Sequence, residues 1–154
     1  MISELKETKE QDGFESLEKK MVRTLALHRE MKKLLEAEYE AGRCLNPDDL
    51  VKLTLRKNNC ISQFEHLVTA TSSQIDRMAD QELPNTCPRT LANRVRFLPG
   101  FTDDMANTLL PLAREVEAEH RSLVEAARRN VNLLKGVIDR LWAVSRYTEM
   151  RNPL

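Results

Sequence analysis

The sequence predicts an all-α fold: an elongated antiparallel helical bundle of three long helices plus one short helix, with coiled-coil-like packing. Three observations carry that expectation. Gly (4) and aromatic residues (5 %) are scarce while charged residues reach 31 %, a mix that suits long charged helices better than a sheet. Apolar residues recur at three- and four-residue steps over three long stretches. Pro47, Pro84, Pro88 and Pro99 fall between those stretches, where the chain must turn. A length of 154 residues supports one domain with a modest core, so 1–154 is read as a single helical domain.

Residues 1–12 are polar and are expected to be flexible, with the first helix starting at a cap on Asp12. Phe14, Leu17, Met21, Leu25, His28, Met31, Leu35 and Tyr39 then keep the helical period, and Gly42 is expected to end it. The next start is the clearest local signal in the chain. Asn46 can cap, Pro47 fits the first helical position, and Asp48 and Asp49 suit the positive end of the helix dipole. Leu45 and Leu50 are placed for a hydrophobic staple. The second helix continues through Leu53, Lys57, Ile61, Phe64, Leu67, Thr71, Ile75 and Met78. Its apolar arc is about 120° wide, as one buried seam requires. Two long helices joined by a short turn make an antiparallel hairpin.

Residues 82–101 read as an irregular, proline-containing connection, with a short helix over Thr90 to Phe97. Thr102-Asp103-Asp104 is a further capping signature. The last helix carries Pro111, a candidate kink or restart point, and then Val116, His120, Leu123, Ala127, Val131, Leu134, Ile138 and Leu141 in period. Residues 148–154 form a polar tail that is expected to be flexible.

The final third of that helix has more apolar surface than one seam needs. Val131, Leu133, Leu134, Val137, Ile138, Leu141, Trp142 and Val144 spread over about 180° of the helical wheel, where a core-facing stripe needs little more than about 100°. Such a helix is either wedged between two neighbours or keeps one face for a partner. Gly136 lies inside it at a cost of about 1 kcal/mol relative to Ala, which fits either a neutral surface position or close approach of another backbone.

Catalytic and metal chemistry have little support. Glu117 and His120 form a Glu-x-x-His pair, half of a di-iron carboxylate site, but Leu25 and Gln63 stand three residues before His28 and His66, so the second pair is missing. His28 lies on the apolar stripe and reads as a core-edge histidine. No Ser/His/Asp arrangement, Gly-rich phosphate loop or HExxH is present, and the methionines read as core filler. No enzyme activity, metal or cofactor is expected. Net charge is zero, with 24 Lys+Arg against 24 Asp+Glu, which argues against a nucleic-acid partner. Arg89, Arg94 and Arg96 form a short cluster that reads as a solvated loop. Cys44, Cys60 and Cys87 show no paired spacing, which suits a reducing compartment. The start of the chain lacks a signal-peptide core, and no run approaches the ~18 apolar residues of a membrane span. A soluble cytoplasmic protein without stable membrane insertion is expected, as a monomer or homodimer.

Two long amphipathic helices, a variable middle and a last helix with an Asn-x-Asn core resemble the flagellar export chaperones of the FlgN type. The matching stretch is Arg128-Arg129-Asn130-Val131-Asn132-Leu133-Leu134, similar to the family's arginine-plus-asparagine pattern before an apolar run. Arg146-Tyr147 falls where family members carry a tyrosine. Leu133 follows Asn132 where family members often have Gly, and Thr148 follows Tyr147 where Tyr-Gly is usual. The resemblance implies a type III secretion chaperone that binds the C-terminal amphipathic helices of hook-filament junction (hook-associated) proteins and delivers them to the export gate. It implies a substrate surface at Asn130, Val131, Asn132, Leu133, Leu134, Val137, Ile138, Leu141 and Val144. It also implies docking of Tyr147 on the gate's cytoplasmic domain. The alternatives are a self-associating structural coiled coil and a chaperone of another secretion system.

Overall fold

The structure, a computed structural model, describes residues 2–151 without the Tyr147 side chain. Among these residues it is all-helical, with α1 (Ile2–Arg43), α2 (Pro47–Met78), α3 (Leu91–Arg96) and α4 (Asp103–Arg151). No helix is long and apolar enough to cross a membrane among the described residues. α1 is the central element. α2 and α4 each pack along it, α3 packs on α4, and α2 and α4 barely meet.

Two ends differ from the sequence expectation. α1 begins at Ile2, ahead of the cap expected at Asp12. The stretch Glu4 to Gln11 is made of Glu, Lys, Gln, Leu and Thr without a breaker, so nothing stops the helix from extending toward the start. Gly13 does not interrupt it. A Cβ there would stand 2.9 Å from Met78 Cε, so the missing side chain lets the end of α2 close on α1. At the other end α4 runs to Arg151 and takes in residues 148–151. It also continues through Pro111, in its third turn, without a break.

Gly42 is not the terminator of α1. The helix closes with Asn46 N–H donating to Ala41 O and Leu45 N–H donating to Gly42 O, the paired bonds of a Schellman motif. The left-handed position of that motif is Leu45, at φ 53°. Gly42 serves packing instead. A Cβ on it would meet Leu133 Cδ2 and Leu134 Cδ2, each at 3.3 Å, so α4 crosses α1 closely at this point. Downstream, Asn46 caps α2 as expected, its side chain accepting from Asp49 N.

Contacts give the helix directions. Gly13 O accepts from Gln74 Nε2, Leu27 O faces Cys60 Sγ, and Glu38 pairs with Lys57. Positions rise along α1 while they fall along α2, so these helices run in opposite directions. α4 runs with α1: Arg29 pairs with Glu115, Tyr39 lies under Arg129, and Gly42 meets Leu133. The largest core lies at the α3 end, where Leu17 and Met21 of α1, Ile75 of α2, Val95 of α3 and Leu109 and Ala113 of α4 converge. A smaller one, around Leu27, Leu34 and Cys60, joins α1 to α2. Moving away from α3, the packing therefore narrows from four helices to the three long ones.

Candidate functional site

Asn130 is the best-defined polar residue of α4, and it faces inward. It is 1 % exposed. Its Nδ2 donates to Leu35 O at 2.7 Å and to Glu38 Oε1 at 3.0 Å. Glu38, 3 % exposed, uses its other carboxylate oxygen for Lys57 of α2. Lys57, Glu38 and Asn130 thus form one polar layer through all three long helices. Burying the Glu38 charge is tolerated because Lys57 neutralises it and Asn130 supplies a hydrogen bond. Asn130 therefore cannot contact a docked helix, and its expected place on the substrate surface is corrected to a structural one.

The other expected surface residues divide by depth. Leu133, Leu134 and Val137 are half-buried, the first two against α1 at Gly42. Asn132 is exposed. Val131 is 63 %, Ile138 52 %, Leu141 57 % and Val144 64 % exposed. The reason lies in helix lengths. α1 ends at Arg43, opposite Leu133 and Leu134, while α4 continues to Arg151. The remaining stretch is about 25 Å long at 1.5 Å per residue. From Ile138 onward every described side chain of α4 is exposed. The breadth of this apolar surface thus belongs to a helix that has outrun its bundle, not to one wedged between two neighbours. A Cβ on Gly136 would meet nothing within 4 Å, so no backbone approaches there. The side chain of Tyr147 lies outside the described residues.

Below the overhang, an open groove separates α2 from α4, with α1 as its floor. One cavity of ≈ 290 Å³ is lined by Leu27, Met31, Leu35 and Glu38 of α1, Lys57, Ile61 and Phe64 of α2, and His120, Leu123, Val124, Ala127, Val131 and Leu134 of α4. A second, of ≈ 490 Å³, continues toward α3 past Met21, Val68, Leu91 and Val116. They meet at a saddle where the Phe64 and His120 rings stack at 5.9 Å and 2°. The α4 wall, Val124, Ala127, Val131 and Leu134, continues onto the overhang as Ile138 and Leu141 at three- and four-residue steps. Groove and overhang are thus one surface.

His28 sits beneath the saddle, fully buried, with its ring 4.9 Å from Phe64 and 6.1 Å from His120. Neither of its ring nitrogens has a hydrogen-bond partner among the described residues. Burial holds its pKa below the usual value, the neighbouring His120 adds to that, and Glu119 opposes it. A neutral imidazole is therefore the form this site holds. Among the described residues no three His, Cys, Asp or Glu side chains converge as a metal cage. Glu117, the partner of His120 in the Glu-x-x-His spacing, instead accepts a hydrogen bond from Leu91 N–H. Arg94 is not merely solvated. It donates to Ser72 Oγ at 3.1 Å and Asp76 Oδ1 at 2.9 Å, which pins α3 to α2.

Sequence reasoning missed Glu38. The available signal was its place three residues after Leu35, on the apolar stripe of α1. Lys57 and Asn130 likewise fall on apolar seams of their helices. One charged or amide residue on each of three seams points to a shared buried layer. Compared with known proteins, the chain matches no protein-family model, no curated protein and no solved structure.

Proposed function

We propose that this chain is a cytoplasmic export chaperone of the FlgN type, an elongated bundle of three long helices and one short, with α1 and α2 as its antiparallel hairpin. Its partners are the C-terminal amphipathic helices of hook-associated proteins, which it delivers to the export gate. One observation supports this reading most: the apolar stripe of α4 from Val124 through Val131 and Ile138 to Leu141 is uncovered. A stripe with anchors at i, i+3/i+4 and i+7 steps suits an amphipathic helix, and covering it would shield the partner from self-association. The resemblance at Arg128–Leu134 supplies the partner's identity. On this reading Val131, Leu134, Val137, Ile138, Leu141 and Val144 carry the contact, Asn132 borders it, and Tyr147 docks on the gate.

The test is co-purification with a C-terminal segment of a hook-associated protein, using wild type and Ile138→Asp/Leu141→Asp. Trp142, the single tryptophan, is 63 % exposed beside this stripe and reports occupancy through its emission. The expected result is a blue shift on binding, and loss of both binding and shift in the variant with helical circular dichroism retained. No binding by the wild type rejects the proposal. The overhang also suits a second reading, a self-associating coiled coil, because it has a free apolar face. Light scattering separates the two: a stable dimer that is insensitive to the peptide favours self-association.

A further inference from the structure

The groove between α2 and α4 is open at one end and closed at the other. At the open end its α4 wall runs on into the overhang. At the other end α3 crosses it like a stopper, tied to α2 by Arg94 on Ser72 and Asp76 and to α4 by Leu91 on Glu117. A helix lying in the groove must therefore end at α3, because its chain has no straight path onward.

The lining of the cavity at the closed end holds more basic than acidic side chains, while Arg89 also lines the adjoining cavity with Asp76, Asp80 and Glu82. The charged side chains lining the cavity there are Arg89, Arg94, Glu117 and Arg121, beside His120. Arg94 is occupied by Asp76, and Glu117 already accepts from Leu91. Among the described residues Arg89 and Arg121 have no acidic partner, and both are exposed at the cavity mouth. A dead end with two unpaired guanidinium groups favours one kind of terminus. The last turn of a helix presents free carbonyls and the negative end of its dipole, and a chain that ends there adds a carboxylate. An amino terminus would bring positive charge onto two arginines.

We propose that Arg89 and Arg121 read the free carboxyl terminus of the docked helix, so that the partner lies antiparallel to α4 with its last residue against α3. This rests on the helix-binding reading above and adds its direction, its endpoint and its requirement for a chain end. The walled part of the groove, Val116 to Leu134 on α4, is about 27 Å long and matches about 18 helical residues. A partner helix longer than that would extend over the overhang at its amino-terminal side.

The probe is an amphipathic peptide of that length, made of Leu, Ala, Gln and Ser, with a fluorophore on its amino end. Three forms are compared by anisotropy on the full chain: free carboxylate, carboxamide, and the free acid lengthened by one helical turn at its carboxyl end. The free acid is expected to bind about tenfold more tightly than the amide, the scale of one charge-assisted hydrogen bond. The lengthened peptide is expected to lose affinity as well. Arg89→Gln/Arg121→Gln should erase the preference for the acid, bringing its affinity down to that of the amide in the same variant. Equal affinity of acid and amide, or an unchanged affinity of the lengthened peptide, overturns this proposal and leaves the helix-binding reading standing. Failure of every form to bind overturns both.

Discussion

Asn130 of α4 donates its side-chain amide to the carboxylate of Glu38 on α1 across 3.0 Å, and water reaches neither residue to any extent. Lys57 of α2 closes the layer from the other side. Removing one member strands the rest. Asn130→Ala should cost about 1–3 kcal/mol by leaving Leu35 O and Glu38 short of a donor. Lys57→Met should cost about 3 kcal/mol, because it leaves a buried carboxylate without its counter-charge. Glu38→Gln in the Lys57→Met background should recover part of that loss. Urea unfolding of wild type, these three variants and Glu38→Gln alone checks the series. Additive losses in the double variant would show that the residues do not act as a unit.

The glycines of the two helices that cross at Leu133 should respond in opposite ways. Gly136→Ala enters open space and should stabilise by about 0.5–1 kcal/mol through helix propensity alone. Gly42→Leu would push against Leu133 and Leu134 and should destabilise by about 1–3 kcal/mol. Thermal melts of both variants decide the matter. A neutral Gly42→Leu would mean that α4 does not lie closely on α1 there.

Leu45 holds a left-handed backbone at φ 53° while its side chain is 58 % exposed. That conformation costs a side-chain-bearing residue about 1 kcal/mol and costs glycine little. Leu45→Gly should therefore raise stability by up to about 1 kcal/mol, read as a higher urea midpoint with an unchanged slope. A lower midpoint would reveal a packing role for the leucine.

Acid should weaken the bundle through His28. Its folded pKa is depressed, chiefly by burial, with His120 adding and Glu119 opposing. As pH falls, the unfolded chain takes up this proton before the folded one. The contribution is therefore complete above about 6.5, the unfolded value, and declines as pH drops from there toward the folded value. The slope is at most about 1.4 kcal/mol per pH unit for one group. Unfolding measured between pH 7.5 and 5.5 should show this decline in the wild type and a flatter profile in His28→Leu. Identical profiles would remove His28 as the cause.

The overhang should be dispensable for folding. Among the described residues, a chain ending at Ile138 loses only exposed side chains, and its unfolding free energy should stay within about 0.5 kcal/mol of wild type. Its affinity for an amphipathic helix should fall. A large stability loss would mean that the segment packs on something in solution, as a dimer would require.

Periodicity, caps and breakers carried the local structure in the sequence. Asn46-Pro47 marked the start of α2, Thr90 the start of α3, and the seam through Ile75 and Leu17 was visible as helical spacing. These features depend on neighbours three or four positions away, which a sequence displays directly. The start of α1 was not legible, because Ile2 to Gln11 has helix-forming residues but no apolar period to announce them. The surplus apolar breadth of Val131 to Val144 was legible as breadth, but its meaning was not. A wheel shows which residues share a face, not where the neighbouring helix stops. Only the tertiary structure decided that α1 ends opposite Leu133, which turns Asn130 inward to Glu38 and leaves Ile138 and Leu141 outside. Those two outcomes depend on the relative lengths and register of helices about a hundred residues apart in the chain, and register is set by packing rather than by local propensity.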